Sequence, residues 1–169
     1  MNIAITGHTK GIGQALYNHF LPFYNVKGFS RTNGFNINNL NIRNDIVKEI
    51  KDFDIFINNA YNDFDDSQLL MLKEVFYSWQ NQNKLIINIS SRFTTADHDY
   101  CTTKKKLDKF CHEQQYILPR ICNLKPGLTD TSRVKNIQGN KSTQTTIYIP
   151  PFEHQCTYTH LNNNVHTPI

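Results

Sequence analysis

Two hydrophobic rhythms alternate along the chain: short, nearly continuous apolar runs, and stripes in which apolar residues recur every three to four positions. The first rhythm predicts buried strands and the second predicts helices packed on them by one face. Ile3 to Ile5 is the first run, and Gly11 to Phe20 follows as a helical pattern through Ala15, Leu16 and Phe20. That helix stops near Pro22, because proline has no amide donor and restrains the residue before it. Val26 to Phe29 is a second strand, Ser30 to Gly34 a polar turn, and Phe35 to Ile37 a short third strand. Ile42, Ile46, Val47 and Ile50 then mark one helical face. Asp54 to Ile57 is the fourth strand, and Leu69, Leu70, Leu72, Val75, Phe76 and Trp79 stripe the helix after it. Asp63, Asp65 and Asp66 precede that helix, where carboxylates favour its positive end, so they read as structural. Lys84 to Ile89 is the fifth strand, Leu107, Phe110 and Cys111 mark the next helix, and Arg120 to Leu124 is the sixth strand.

Strand and helix in regular alternation predict an α/β fold, a Rossmann-like doubly wound parallel sheet in three α/β/α layers, truncated after the sixth strand. The domain is expected over residues 1–133. From about Val134 the pattern fails, and residues 134–169 read as an irregular tail in which only Thr145 to Ile149 suits a short strand. With 169 residues, 38% of them hydrophobic and 19% charged, the chain is long enough for one buried core and lacks the composition of a disordered protein. The net charge of +4 is spread out, with one cluster at Lys104-Lys105-Lys106, which excludes a nucleic-acid footprint. No apolar run reaches the roughly 18 residues of a membrane span, and the N-terminus reads as a strand instead of a secretory signal, so a cytoplasmic location is expected. Cys101, Cys111, Cys122 and Cys156 have no paired CxxC spacing, which predicts free thiols and no metal site. The abundance of asparagine points to an AT-rich genome, viral or bacterial.

The chemistry-bearing residues lie where the predicted strands end. Thr6-Gly7-His8-Thr9-Lys10-Gly11-Ile12-Gly13 joins the first strand to the first helix, a glycine-rich turn whose backbone N–H groups and helix dipole suit a pyrophosphate. Ser90-Ser91 lies at the carboxyl end of the fifth strand, the edge where open α/β sheets place ligands. Tyr100 and Lys104, four apart, share one helix face. At the end of the second strand, where an acidic residue would accept hydrogen bonds from the ribose of NAD, the chain has Ser30-Arg31, and a guanidinium suits a 2′-phosphate.

Together with Asn58-Asn59-Ala60, Tyr100-Cys101-Thr102-Thr103-Lys104 and Pro126-Gly127-Leu128-Thr129-Asp130-Thr131, these stretches make the sequence resemble the short-chain dehydrogenase/reductase family. The resemblance covers residues 1 to 133 and implies hydride transfer between a nicotinamide cofactor and a small carbonyl or alcohol substrate. It implies Tyr100 as general acid/base, Lys104 as the cation that stabilises its phenolate and holds the nicotinamide ribose, and Ser91, ahead of Ser90, as hydrogen-bond donor to the substrate oxygen. Gly7, Thr9, Gly11, Ile12 and Gly13 are expected along the pyrophosphate, Asn36 and Ile37 beside the adenine, Asn59 and Ala60 on the adenosine side, and Pro126, Gly127, Thr129 and Thr131 by the nicotinamide. Lys10 joins Arg31 in family members that use NADP, so NADP(H) is expected over NAD(H). A homodimer through the Tyr-Lys helix and its neighbour would draw on Leu69, Trp79 and Phe110. The chain departs from the family at Tyr61, where glycine is usual, in the short segment between Ser91 and Tyr100, and in lacking a clear counterpart for the relay asparagine, with Asn62 nearest. It also lacks a recognisable substrate lid after residue 133. The rival reading is a non-catalytic NADP(H)-binding regulatory or scaffold protein.

Overall fold

The computed structural model describes residues 1–62, 65–92 and 99–127. They form β1 (Asn2–Thr6), α1 (Gly11–Phe20), β2 (Asn25–Phe29), α2 (Leu40–Glu49), β3 (Ile55–Asn58), α3 (Ser67–Ser78), β4 (Leu85–Ile89), α4 (Asp99–Glu113) and β5 (Arg120–Leu124), with a 3₁₀ turn at Arg31–Asn33. The strands pair in parallel in the order β2-β1-β3-β4-β5. The chain winds outward from β1 to β2 and then crosses back to β3. Winding therefore reverses between β1 and β3, and a crevice is expected there at the carboxyl ends of the strands.

Alternation along the strands sorts the core into two faces. Ala4, Phe56 and Ile86 stand in register and pack with Ile46 of α2 and Ile50 that caps it, Met71, Leu72, Val75 and Phe76 of α3, and Leu107 and Phe110 of α4. Ile3, Ile5, Ile57 and Ile89 point the other way, against Ile12, Leu16, Tyr17 and Phe20 of α1. Helices on both faces explain why the strands read as continuous apolar runs. Trp79 closes the first cluster, completely buried and edge-on to Phe56 at 6.4 Å. Burial of each large side chain of this kind contributes roughly 1.5–3 kcal/mol.

Two expectations need correction. Phe35 to Ile37 is not a strand: the Phe35 N–H turns back to the Ser30 carbonyl at 2.8 Å and the Asn36 carbonyl accepts from Asn39 N–H at 3.0 Å. The backbone groups are spent on local turns while the Phe35 ring packs edge-on against Phe29 at 4.9 Å. The described sheet consequently has five strands, and the expected fourth, fifth and sixth are β3, β4 and β5. Leu69, Trp79 and Phe110 are buried in the chain's own core, so they are packing residues and not a dimer surface. The expected tail at 134–169, its strand at Thr145 to Ile149, and Asp63 lie outside the described residues. No described helix is long and apolar enough to cross a membrane.

Candidate active site

The glycine turn is built by close approach. Gly7 has φ +70° and Gly11 φ +58°, and a Cβ on Gly13 would stand 2.3 Å from the Gly7 carbonyl oxygen. Any side chain at Gly13 would lift α1 off the end of β1. Gly7 N–H also donates to the Phe29 carbonyl at 2.7 Å, tying the turn to β2. The loop after β3 is clamped to the same turn. Thr6 Oγ1 accepts from the N–H groups of Asn59 and Ala60, both at 3.0 Å, and Asn59 Nδ2 donates to the carbonyls of Thr6 and Gly7. Gly7 meets Ala60 so closely that a Cβ there would lie 2.9 Å from the Ala60 Cα. Thr9, Lys10 and Ile12 continue the rim, with Lys10 exposed and α1 carrying no acidic residue in its first turn.

Beyond β2, the buried Ser30 spends its side chain on the turn, its hydroxyl lying 2.7 Å from Thr32 Oγ1 and 3.0 Å from Asn33 Oδ1. Arg31 is exposed, as is Asn36, whereas the Ile37 side chain enters the core. With Lys10 and Arg31 exposed and no room for a Cβ at Gly7 or Gly13, this end of the sheet suits a dinucleotide phosphate.

At the other end of the site, Ser90 N–H extends the β4–β5 pairing to the Leu124 carbonyl at 2.7 Å, and Arg92 N–H reaches the Pro126 carbonyl at 3.1 Å. Ser90, Ser91, Pro126 and Gly127 thus lie on adjacent chains. Ser90 Oγ donates to Asp108 Oδ1 at 2.6 Å, and Ser91 is buried beside it. Thr129 and Thr131 lie outside the described residues.

Lys104 is 4% exposed. Its Nζ donates to Gln68 Oε1 at 2.7 Å and to the Ile89 carbonyl at 3.1 Å, and lies 4.8 Å from the Tyr61 ring centre and 5.6 Å from that of Tyr100. Tyr61 and Tyr100 meet edge to face at 5.1 Å. The side chain that stands where glycine was expected therefore forms a wall of the Lys104 environment. Asn62 does not reach it, donating instead to Asp65 Oδ2 at 2.8 Å at the start of α3.

No family model and no curated protein matches the sequence. Solved structures do match the fold. A short-chain dehydrogenase from Burkholderia cenocepacia in complex with NADP superposes with a TM-score of 0.68 over 80% of this chain and 75% of its own, at 18% identity. The fold is that of the short-chain dehydrogenases/reductases. A serine dehydrogenase complexed with NADP⁺ covers 87% of this chain and 83% of its own, and a 4-hydroxyisoleucine dehydrogenase complexed with NADH covers 83% and 78%, each with TM-score 0.66 and 18% identity.

On this short-chain dehydrogenase fold the chain carries a polar layer with little sequence signal. Asn58, Asn88 and Asn123 stand in register on β3, β4 and β5. Asn58 Nδ2 donates to Asn88 Oδ1 at 2.9 Å, Asn88 Nδ2 to Asn123 Oδ1 at 2.8 Å, and Asn123 Nδ2 to Asp108 Oδ1 at 2.8 Å. The amides all donate toward the Asp108 carboxylate, which Lys125 pairs at 2.8 Å. Gln68 joins the near end, its Nε2 donating to the Asn58 and Ile89 carbonyls at 3.0 Å each. The available signal was a polar residue interrupting an apolar strand or stripe. Of the cysteines among the described residues, Cys101 and Cys111 are buried and Cys122 is partly buried, and burial, with Asp108 nearby, pushes the Cys111 thiol up to about 12. The described residues contain no group of three or more potential metal ligands.

Proposed function

We propose that the protein is an NADP(H)-dependent oxidoreductase that interconverts a carbonyl and its alcohol. The observation that carries this reading is Lys104: a lysine held almost wholly out of water, beside Tyr100, at the carboxyl end of β4. Burying an ammonium is costly unless it is hydrogen-bonded, and a solvated surface lysine has no need of such a place. The turn around Gly7 and Gly13 would hold the pyrophosphate, and Asn59 and Ala60 would wall the adenosine side. Lys10 and Arg31 would meet a 2′-phosphate, and Pro126 and Gly127 would flank the nicotinamide. When bound, the cofactor supplies the hydride. The chain's part is to orient the substrate oxygen, with the Ser91 hydroxyl donating to it and Tyr100 giving or taking the proton. The neighbouring Ser90 directs its hydroxyl to Asp108. Lys104 stabilises the phenolate left after transfer.

Titration with NADPH and NADH, followed by nicotinamide fluorescence, tests the foundation. NADPH binds the more tightly, and Arg31→Asp weakens NADPH by about tenfold or more with little change for NADH, because a charge-assisted phosphate contact is lost. Tyr100→Phe lowers turnover of a carbonyl panel by about 10²–10⁴ while NADPH affinity stays within about threefold. An unchanged cofactor preference in Arg31→Asp removes Arg31 as selector, and retained turnover in Tyr100→Phe removes the tyrosyl acid.

The rival is a non-catalytic NADP(H)-binding regulatory or scaffold protein. It draws support from Tyr61, whose ring occupies space against Lys104 and Tyr100. Tight NADPH binding without turnover of any panel member selects it.

A further inference from the structure

We propose that Gln68 is a positioning residue, which fixes where the Lys104 ammonium stands; its consequence for chemistry rests on the reading of Tyr100 and Lys104 as the reacting pair. Gln68 lies in the first turn of α3, 3% exposed, and its amide is used at both ends. The NH₂ group donates to two backbone carbonyls, those of Asn58 at the end of β3 and Ile89 at the end of β4. With both N–H bonds committed to acceptors that cannot be reversed, the orientation of the amide is dictated, and Oε1 must face α4. There it accepts from Lys104 Nζ at 2.7 Å. Lys104 donates as well to the Ile89 carbonyl at 3.1 Å, so one carbonyl serves both side chains and closes a ring through α3, β4 and α4.

The geometry does more than bury the lysine. A four-carbon stem ending in a point charge has many rotamers, and a carbonyl alone fixes only a distance. A second acceptor, itself pinned to two strands, fixes a position. That position is the one from which the ammonium faces the rings of both Tyr61 and Tyr100. Gln68 acts on the tyrosines through Lys104.

The intact chain is assayed as parent, Gln68→Met and Gln68→Glu. Brief treatment with sulfo-NHS acetate, read by peptide mass spectrometry, compares acetylation of Lys104 with that of exposed Lys105 in the same helix. Lys84, at the opposite end of β4, monitors general loosening. In the parent, Lys104 reacts at least about tenfold more slowly than Lys105, and Gln68→Met brings the two rates within about threefold while Lys84 is unchanged, as expected for a lost hydrogen bond to a charged group. Gln68→Glu keeps an oxygen but cannot donate to the Asn58 and Ile89 carbonyls, so it too loses protection of Lys104, and it decides the matter if the methionine variant melts below assay temperature. Equal protection of Lys104 in parent and Gln68→Met overturns the proposal, as does parent-like protection in a Gln68→Glu protein that melts like the parent.

A double-mutant cycle gives the functional arm. Gln68→Met weakens NADPH about fivefold, and in a Lys104→Met background it adds nothing, because coupled residues are not additive. Additive losses overturn the positioning role. If the parent binds no NADPH, the oxidoreductase reading fails, while the labelling experiment still decides where Gln68 holds Lys104.

Discussion

At Asp65 burial and hydrogen bonding act in opposite directions. Burial raises its carboxyl, but the donors Ser67 and Asn62 and the charge of Arg43 outweigh it, so the group titrates below the ordinary aspartate range. Oδ1 accepts from Ser67 N–H at 2.9 Å, satisfying one of the orphan donors at the start of α3. Because the native value is depressed, the stabilisation is complete above the unfolded value of about 3.9 and is lost as pH falls through the native value below it. In urea, Asp65→Asn should therefore be less stable than the parent at pH 7, with the gap narrowing once pH falls below about 3.9 and closing as pH passes through the lowered native value. A gap that does not narrow as the carboxyl is protonated assigns the effect to something other than the charge. The Tyr100 and Lys104 pair was legible at this scale, since a spacing of four puts two side chains on one helix face whatever surrounds them. The burial of Lys104 was not, because it depends on Gln68 and on the end of β4, 36 and 15 residues away in sequence.

At the scale of elements, periodicity located each of the five described strands and the helices between them, but it overread Phe35 to Ile37. Three residues with apolar ends suit a strand and a turn equally well, and the Ser30 carbonyl settled it by capturing the Phe35 N–H. Periodicity was also silent on how α2 meets α3. Arg43, 5% exposed, forks Nε onto both carboxylate oxygens of Glu74 at 3.0 and 3.1 Å and sends Nη1 to the carbonyls of Ile37 and Asn38. Arg43→Met strands that carboxylate and two carbonyls. Glu74 is partly exposed, so the cost should be about 2–4 kcal/mol, toward the lower side of a fully buried pair, and Arg43→Lys should recover little of it for want of a planar fork. Urea denaturation checks this; a loss under about 0.5 kcal/mol would show the pair to be ornamental.

Across the whole molecule, the asparagine ladder joins three strands to α4 beneath the site. Asn88 sits at its middle, fully buried, accepting from Asn58 and donating to Asn123. Asn88→Leu keeps the branched shape in a larger side chain and leaves two amides of neighbouring strands without partners, which should cost about 2–4 kcal/mol while unfolding remains one transition. A leucine variant as stable as the parent would mean that the ladder is replaceable by apolar packing.

The sequence by itself determined the strand–helix alternation, the glycine turn, and the placing of Ser91, Tyr100, Lys104 and Pro126 near strand or helix ends, because those features depend on local periodicity and on residues close in the chain. Only the tertiary structure decided which side chains hold the site together. Gln68 against Lys104, Tyr61 beside Tyr100, and Asn58, Asn88 and Asn123 in one hydrogen-bonded row are all consequences of parallel strand register and of helix docking on it. A parallel sheet brings together residues from distant crossovers, and a pattern read along the chain carries no record of that register.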